Sequence, residues 1–188
     1  MMELTKKQMA TLRRIMKREE KAYDPQEMFC RPGIHPCGLD YLITDGQVSV
    51  ILNHSPENLP AGGCMDSLAR TISQECSSGS YYLLEDPCLE DNPVKLTVTH
   101  RGKIQVSGQF DPQCLRDALE IAGSGTRFCL GFPPRPSQAP SLLIEPGPKC
   151  RERGILIVRI AALKQAYRQE GTVYEDGIYR AAGCEWEE

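Results

Sequence analysis

The sequence predicts an α+β protein made of two successive units, each with a helix and an antiparallel sheet. An amphipathic helix at residues 4–21 precedes a predicted β-hairpin at 39–53. A second predicted hairpin, at 94–108, leads directly into a helix that begins after Asp111. Since a helix is followed by a hairpin in the first half and by strands in the second, we expect two similar units.

The first predicted helix, Leu4 to Lys21, has two chemically different sides, one apolar and one basic. The apolar stripe consists of Leu4, Met9, Leu12, Ile15 and Met16, and the basic face of Lys6, Lys7, Arg13, Arg14, Lys17, Arg18 and Lys21. Thr5 and Glu3 are placed to cap the start of the helix, and Glu19 lies near the apolar stripe. We expect the stripe to pack against the rest of the protein.

The first predicted hairpin turns at Asp45-Gly46, a dipeptide that is favoured in tight hairpin turns. Apolar residues alternate on both sides of this turn, at 41 and 43 and at 48, 50 and 52. The segments 24–37 and 54–63 contain prolines and are predicted loops. A short helix at 64–76 and a strand at 80–86 are predicted to follow.

The second predicted hairpin turns at Arg101-Gly102 and is followed by a helix with Asp111 as N-cap, Pro112 at its first position and Gly123 at its end. Gln113, Arg116, Asp117 and Glu120 are predicted to face outward. Strands are predicted at 126–132, 141–147 and 154–160, and a last helix at 161–169. The predicted organisation is a first unit at 1–93, a second at 94–160 and a helical C-terminal extension at 161–188.

Composition and charge set limits on function. A charged fraction of 25% is typical of a soluble globular protein, and the formal net charge is only −3. Any binding of nucleic acid must therefore depend on a local basic face. Charges throughout residues 1–23 argue against a signal peptide, and no apolar run approaches the ~20 residues of a membrane span. The nine cysteines include no C-x-x-C pair, which fits reduced thiols in a cytoplasmic protein.

Two motifs carry a resemblance to a known family. One starts at Phe110-Asp111-Pro112 and continues with Leu115, Asp117, Ala118 and Leu119, and the other is Thr44-Asp45-Gly46. The stretch 156–160, Leu-Ile-Val-Arg-Ile, takes the place of a terminal Met-Pro-Met-Arg-Leu strand. These motifs resemble the bacterial β-type DNA sliding clamp, the polymerase processivity factor, and most closely the closing half of its last domain.

The resemblance covers residues 1–53 and 94–160 and implies a clamp-like fold, in which helices line a hole and strands form the outer sheet. Some positions depart from the family pattern: Cys114 replaces a tyrosine, Gln47-Val48 replace His-Arg, and Ile157 replaces a proline. Residues 54–93 and 161–188 have no counterpart. Family chains carry three such domains, so a ring built from this chain would need several copies.

The resemblance implies two binding surfaces. Clamp helices meet the phosphates of duplex DNA weakly and without reading sequence. This assigns DNA binding to the basic face, Lys6, Lys7, Arg13, Arg14, Lys17, Arg18 and Lys21. Clamps also bind short hydrophobic motifs of partner proteins, which points here to Thr44, Gly46, Val158, Arg159 and Ile160. The structural alternatives are a solvated helix face and an ordinary hairpin core.

The function implied by the resemblance is non-catalytic and belongs to DNA replication, with no cofactor, catalytic residue or metal ion. The expected partners are duplex DNA, a polymerase or clamp-like subunit, and further copies of this chain. Homodimers would form through a free strand edge, for which 94–100 is the candidate. An interaction module of the same fold that does not bind DNA is an alternative.

Cysteine-dependent hydrolysis is an alternative of another class. Cys64 is predicted at a helix N-terminus, where the helix dipole favours a thiolate, and His54 or His100 would serve as the base. No nucleophile motif surrounds Cys64, so a structural thiol is favoured.

Another alternative is a metal site formed by Cys30, His35 and Cys37, with Cys64 or Cys76 as a distant fourth ligand. Zinc sites usually contain two closely spaced pairs of ligands, and only one irregular cluster occurs here. Structural cysteines are therefore favoured, and no metal is predicted.

Overall fold

The computed structural model describes residues 3–23, 32–63, 80–101, 103–132, 139–163, 172–175 and 178–181. The helices are α1 (Lys6–Ala22), α2 (Pro112–Ala122) and the short α3 (Pro148–Arg151). The strands are β1 (His35–Cys37), β2 (Asp40–Thr44), β3 (Val48–Leu52), β4 (Ser80–Leu84), β5 (Val94–His100), β6 (Lys103–Phe110), β7 (Arg127–Phe132), β8 (Ser141–Glu145), β9 (Ile155–Ala161), β10 (Thr172–Glu175) and β11 (Ile178–Ala181). Helices beside antiparallel sheets confirm the predicted α+β class.

The main sheet has seven antiparallel strands in the order β1-β2-β3-β9-β8-β7-β4. Strands β5 and β6 form a separate two-stranded sheet, and so do β10 and β11. No helix among the described residues combines the length and the apolar character that a membrane span requires.

The order of elements repeats within the chain. Helix α1 is followed by the three neighbouring strands β1, β2 and β3, and α2 is followed by β7, β8 and β9. The last strands of the two sets, β3 and β9, pair at the centre of the sheet, with Val50 opposite Val158. Strand β4 precedes the predicted boundary at residue 93 but pairs with β7 of the second set. One continuous sheet therefore joins the two predicted units.

Both long helices contribute to a single core. Leu12 and Ile15 of α1 and Leu115 and Ile121 of α2 belong to the same buried cluster as the central strands, including Val50 of β3. Apolar burial of this kind is the main driving force that holds helices on a sheet. The predicted apolar stripe of the first helix is therefore the side that packs inward.

The predicted helix caps are present. Thr5 Oγ1 accepts a hydrogen bond from the Gln8 N–H, and Gln8 Oε1 accepts one from the Thr5 N–H, which together form a capping box. Asp111 Oδ1 accepts hydrogen bonds from the N–H groups of Gln113 and Cys114, the second and third residues of α2. Gly123 ends α2 at φ +76°, and a Cβ at this position would lie 2.6 Å from Cys150 Sγ, so glycine is required here.

The predicted hairpins around Asp45-Gly46 and Arg101-Gly102 and the strand near residue 80 are confirmed. The segment 24–37 was predicted to be loop throughout, but its end forms β1, because His35 pairs opposite Leu42 of β2. No helix or strand was predicted at the position of α3. The predicted helix at 64–76 lies outside the described residues.

The C-terminal extension differs in part from its prediction. A helix was expected to begin at Ala161, but this residue ends β9, and Ala162 and Leu163 have no regular structure. Residues 164–171 lie outside the described residues, and β10 and β11 form a hairpin beyond them. A helical extension stays a prediction for 164–169 only.

A buried polar contact ties α1 to β1. His35 Nε2 lies 2.7 Å from Glu19 Oε1, and His35 Nδ1 lies 2.9 Å from the carbonyl oxygen of Gly63. The other oxygen of Glu19 accepts a hydrogen bond from the Gly33 N–H at 3.0 Å. Burial disfavours the charged imidazole, but the hydrogen bonds with Glu19 and Gly63 outweigh it and raise the pKa of His35. This contact stabilises the fold while His35 is protonated.

We expect the free energy of unfolding to fall as the pH rises above the ordinary histidine value of 6.5. The contribution of His35 is complete below its unfolded-state pKa and is lost as the pH rises through its raised folded-state pKa. His35→Gln should flatten this dependence and cost about 1–3 kcal/mol near pH 6, because it leaves buried groups unsatisfied. Urea denaturation across this pH range measures both effects. His54→Gln is the control and should keep the wild-type slope; equal slopes for wild type and His35→Gln would refute the assignment.

Candidate functional site

The basic residues of α1 form two rows on its surface. Because successive residues of an α-helix are turned by about 100°, Lys6, Arg13, Lys17 and Lys21 lie along one line, opposite the buried residues Leu12 and Ile15. We call this line the outer row. The remaining three, Lys7, Arg14 and Arg18, lie closer to α2, and we call them the inner row.

The inner row is neutralised by carboxylates of α2. Arg14 Nη2 lies 2.7 Å from Asp117 Oδ1, and Arg18 Nη1 lies 2.7 Å from Asp117 Oδ2. Glu120 binds Lys7 Nζ at 2.8 Å and Arg14 Nη2 at 3.0 Å. Asp117 is fully buried. These three basic residues therefore hold the two helices together.

The same network reaches the first hairpin. Arg18 Nε donates to Asp45 Oδ2 at 2.6 Å. Asp45 Oδ1 accepts hydrogen bonds from the backbone N–H groups of Gln47 and Val48 at 2.9 and 2.7 Å, which stabilises the turn. Arg18 thus connects α1, α2 and the β2–β3 turn.

The ion pairs keep the inner row charged. Hydrogen bonds from Lys7, then from Thr11 and Arg14, lower the pKa of Glu120 to about 2. The hydrogen bond to Asp117 is the main cause that raises the pKa of Arg14. Burial opposes the charge of Arg18, but its bonds to Asp45 and Asp117 outweigh that effect and raise its pKa. Near neutral pH the residues of the inner row are charged and paired with acids, while Arg18 Nη2 is buried without a hydrogen-bond partner among the described residues.

The outer row is different in its surroundings. Lys6, Arg13, Lys17 and Lys21 are exposed, and none of them forms an ion pair with another described residue. At a rise of about 1.5 Å per residue, Lys6 and Lys21 lie about 22 Å apart along the helix. The structure therefore presents four of the seven predicted DNA-binding residues as a line of cations without an ion-pair partner among the described residues.

The residues predicted for partner binding lie in one region, at different depths. Val158 and Ile160 are fully buried in the main core, and Thr44 is 2% exposed. Thr44 pairs opposite Ser49, which pairs opposite Arg159, so Thr44 and Arg159 share a row across three strands. Gly46 forms the adjacent turn at φ +87°. The core side chains position this region and present no surface to a ligand.

Within the described residues, neither the cysteine hydrolase nor the metal-site alternative has an assembled site. Cys30, Cys64 and Cys76 lie outside these residues, and so does the side chain of His100. Both ring nitrogens of His35 are engaged by Glu19 and Gly63. Across the described part of the chain, no three His, Cys, Asp or Glu side chains are grouped to hold a metal ion.

The environments of two other thiols favour their protonated form. Burial, followed by the nearby Asp111, raises the pKa of Cys114 to about 12. Burial is also the main cause that raises the pKa of Cys129. Since the thiolate is the nucleophile, neither environment activates its cysteine.

No family model, curated protein or solved structure matches this chain. The resemblance to the sliding clamp therefore stays a prediction based on the motifs and on the repeated order of elements.

The acidic partners of α1 were not predicted from the sequence. Asp117 was predicted to face outward with Glu120, but it is buried because α1 covers this side of α2. The available signal was the pair of acids at 117 and 120, one turn apart, in a chain whose other long helix carries a basic face. Helix pairing has to be known before that signal can be interpreted.

Asp117→Ala should lower the free energy of unfolding by about 2–3 kcal/mol. Removing one member of a buried pair costs about 3–5 kcal/mol, and the partial exposure of Arg14 (45%) and Arg18 (32%) reduces this. Urea denaturation measures the loss. Asp91→Asn, at an exposed position, should change stability by less than about 0.5 kcal/mol. If both variants lose the same small amount of unfolding free energy, the network does not hold the helices together.

Proposed function

We propose that the protein is a sliding-clamp-like, non-catalytic protein of DNA replication that binds the backbone of duplex DNA through the outer row. The observation that carries this proposal is the set of four exposed cations along one line of α1, on the side that points away from the sheet. Neutralising phosphates releases condensed counterions, which favours binding to any sequence. The repeated helix and three-strand order agrees with a clamp-like arrangement.

The charges of the chain also limit this interaction. Because Lys7, Arg14 and Arg18 already pair with acids of the protein, they contribute little net charge toward DNA. On the second helix, Arg116 is exposed and Glu120 keeps its negative charge. At most about four phosphates are then neutralised by each chain, so binding is weak and requires low salt.

We expect duplex DNA to bind without sequence preference, with a slope of log affinity against log salt no steeper than about −4. Arg13→Gln together with Lys17→Gln should bring this slope to about −2 and weaken binding at least about tenfold at low salt. Glu120→Gln should strengthen binding, because it removes a charge that neutralises Lys7 and Arg14. Fluorescence anisotropy with a labelled duplex at several salt concentrations measures all three.

The matched control is Lys95→Gln with Lys149→Gln, which removes the same charge at exposed positions on β5 and α3. It should bind DNA almost as wild type does. Equal losses in the control and the outer-row variant would assign the attraction to overall charge and refute the site. Charge reversal at Arg14 is a poorer test, because it would break the bond to Asp117.

We further propose that several copies associate through β5. This strand pairs with β6 on one side, and no other described strand pairs with it. Lys95 and Thr99 are exposed along it. An open strand edge is a template for pairing with another chain.

Light scattering should detect homodimers or larger assemblies above concentrations on the order of micromolar. Thr99→Pro removes a backbone donor and should shift the mass toward the monomer, whereas Thr99→Val keeps the donor and should assemble as wild type does. Circular dichroism checks that both variants fold. A wild-type monomer throughout, or assembly that Thr99→Pro leaves unchanged, would exclude pairing at this edge.

A further inference from the structure

The imidazole ring of His35 in β1 faces a hydrogen-bond acceptor at each of its two nitrogens. Nε2 lies 2.7 Å from Glu19 Oε1, and Nδ1 lies 2.9 Å from the carbonyl oxygen of Gly63. A neutral imidazole has one N–H group, whereas the imidazolium has two. Since His35 is fully buried, bulk water does not reach the ring. With Glu19 ionised, both contacts are therefore hydrogen bonds only while the ring carries two protons.

The two acceptors of His35 differ in strength. Glu19 is an anion, and a hydrogen bond to an ionised acceptor is roughly twice as strong as one between neutral groups. The other oxygen of Glu19 accepts a hydrogen bond from the Gly33 N–H at 3.0 Å, which fixes the carboxylate. A single remaining proton therefore stays on Nε2, and the lone pair of Nδ1 then faces the Gly63 carbonyl oxygen. Loss of one proton breaks the contact with Gly63 and keeps the contact with Glu19.

Residues 60–63, which we call the latch segment, lie directly against the start of β1. The Ile34 N–H donates to the Pro60 carbonyl at 3.0 Å, and the Gly62 N–H donates to the Ile34 carbonyl at 2.8 Å. A Cβ on Gly33 would lie 2.5 Å from Gly62 N, so the two backbones are in close contact. The Gly63 carbonyl follows these two bonds along the chain. Its hydrogen bond to His35 therefore secures the end of the latch segment.

Glu19 dominates the electrostatic surroundings of the ring. It is the only charged residue among the buried residues of α1. The latch segment, Pro-Ala-Gly-Gly, has no ionisable side chain. On β2, Leu42 pairs opposite His35, and Asp40 and Tyr41 pair opposite the two residues that follow it. Among the described residues, Glu19 is therefore the charged group that holds the proton on the ring.

We propose that His35 is a pH-sensitive latch, which holds residues 60–63 against β1 when it is protonated and releases them when its Nδ1 proton passes to solvent. Pro60 and Gly33 line a cavity of about 520 Å³ beside α1, so release of the latch segment opens one wall of this cavity. Strand β1 stays paired with β2. The latch does not depend on the proposed binding of DNA, because neither His35 nor the latch segment belongs to the outer row.

The protonation of the ring can be followed by nitrogen-15 NMR of the imidazole in the full chain. Near pH 6 both nitrogens of His35 should carry a proton. As the pH rises to about 9, Nδ1 should lose its proton while Nε2 keeps one. A ring that is already neutral near pH 6, or that keeps its last proton on Nδ1, would overturn the proposal.

Release of the latch segment can be measured by amide hydrogen exchange at Gly62. After correction for the intrinsic exchange rate, its protection should fall about five- to tenfold across the titration of His35, because one hydrogen bond is lost. Low concentrations of urea should hardly change this exchange, since a local opening exposes little surface. The amide of Val50, in the centre of the sheet, is the reference for global unfolding. Equal pH and urea dependences at Gly62 and Val50 would show that the opening is global and refute the latch.

Variants assign the effect to this ring. Glu19→Gln removes the charge that holds the proton and keeps an oxygen acceptor for Gly33, so the fall in Gly62 protection should move to lower pH. His35→Gln should abolish the pH dependence, whereas His54→Gln should retain it. An unchanged midpoint in Glu19→Gln, or a pH dependence that survives His35→Gln, would contradict the latch. The two wild-type measurements decide the proposal even where a variant does not fold.

Discussion

The buried carboxylate of Asp117 is the contact on which the arrangement of the helices depends. It lies on α2 of the second unit and binds Arg14 and Arg18 of the first, and Arg18 continues to Asp45 in the β2–β3 turn. Apolar packing is non-directional and does not fix how far one helix slides along another. Three charged hydrogen bonds with defined directions do fix it. The network therefore sets the register between two halves that also share one sheet.

This network also decides which charges of α1 remain available. The basic residues of α1 form two rows on its surface, yet α2 supplies acids to the inner row only. Asp117 and Glu120 reach Lys7, Arg14 and Arg18, while Lys6 and Lys17 project away from them. A chain of formal net charge −3 thereby presents a positive line without a positive total. The direction in which each side chain leaves the helix decides whether its charge is paired within the protein or exposed.

Local sequence determines the features that could be predicted. The caps at Thr5 and Asp111 and the turn at Asp45-Gly46 depend on residues a few positions apart, so the pattern was sufficient. Asp117 lies at the margin between core and solvent, and only the presence of α1 makes it buried. The pairing of Glu19 with His35 could not be predicted for the same reason. The sequence places Glu19 near the apolar stripe, but its partner lies on β1, in a segment that was predicted to be a loop. Contacts between distant elements carry little local signal.

The buried Glu19–His35 contact and the outer row belong to the same helix. Glu19 holds His35 and Gly33 on the inner side of α1, while Arg13 and Lys17 lie on its exposed side. Any movement of the helix relative to β1 would break the bonds of Glu19 to His35 and Gly33. The backbone from which the outer row projects is therefore fixed to the core, whereas its side chains are exposed. Exposed lysine and arginine side chains lose rotamer freedom when they bind an anion, so the proposed contact of the outer row with phosphates is weak.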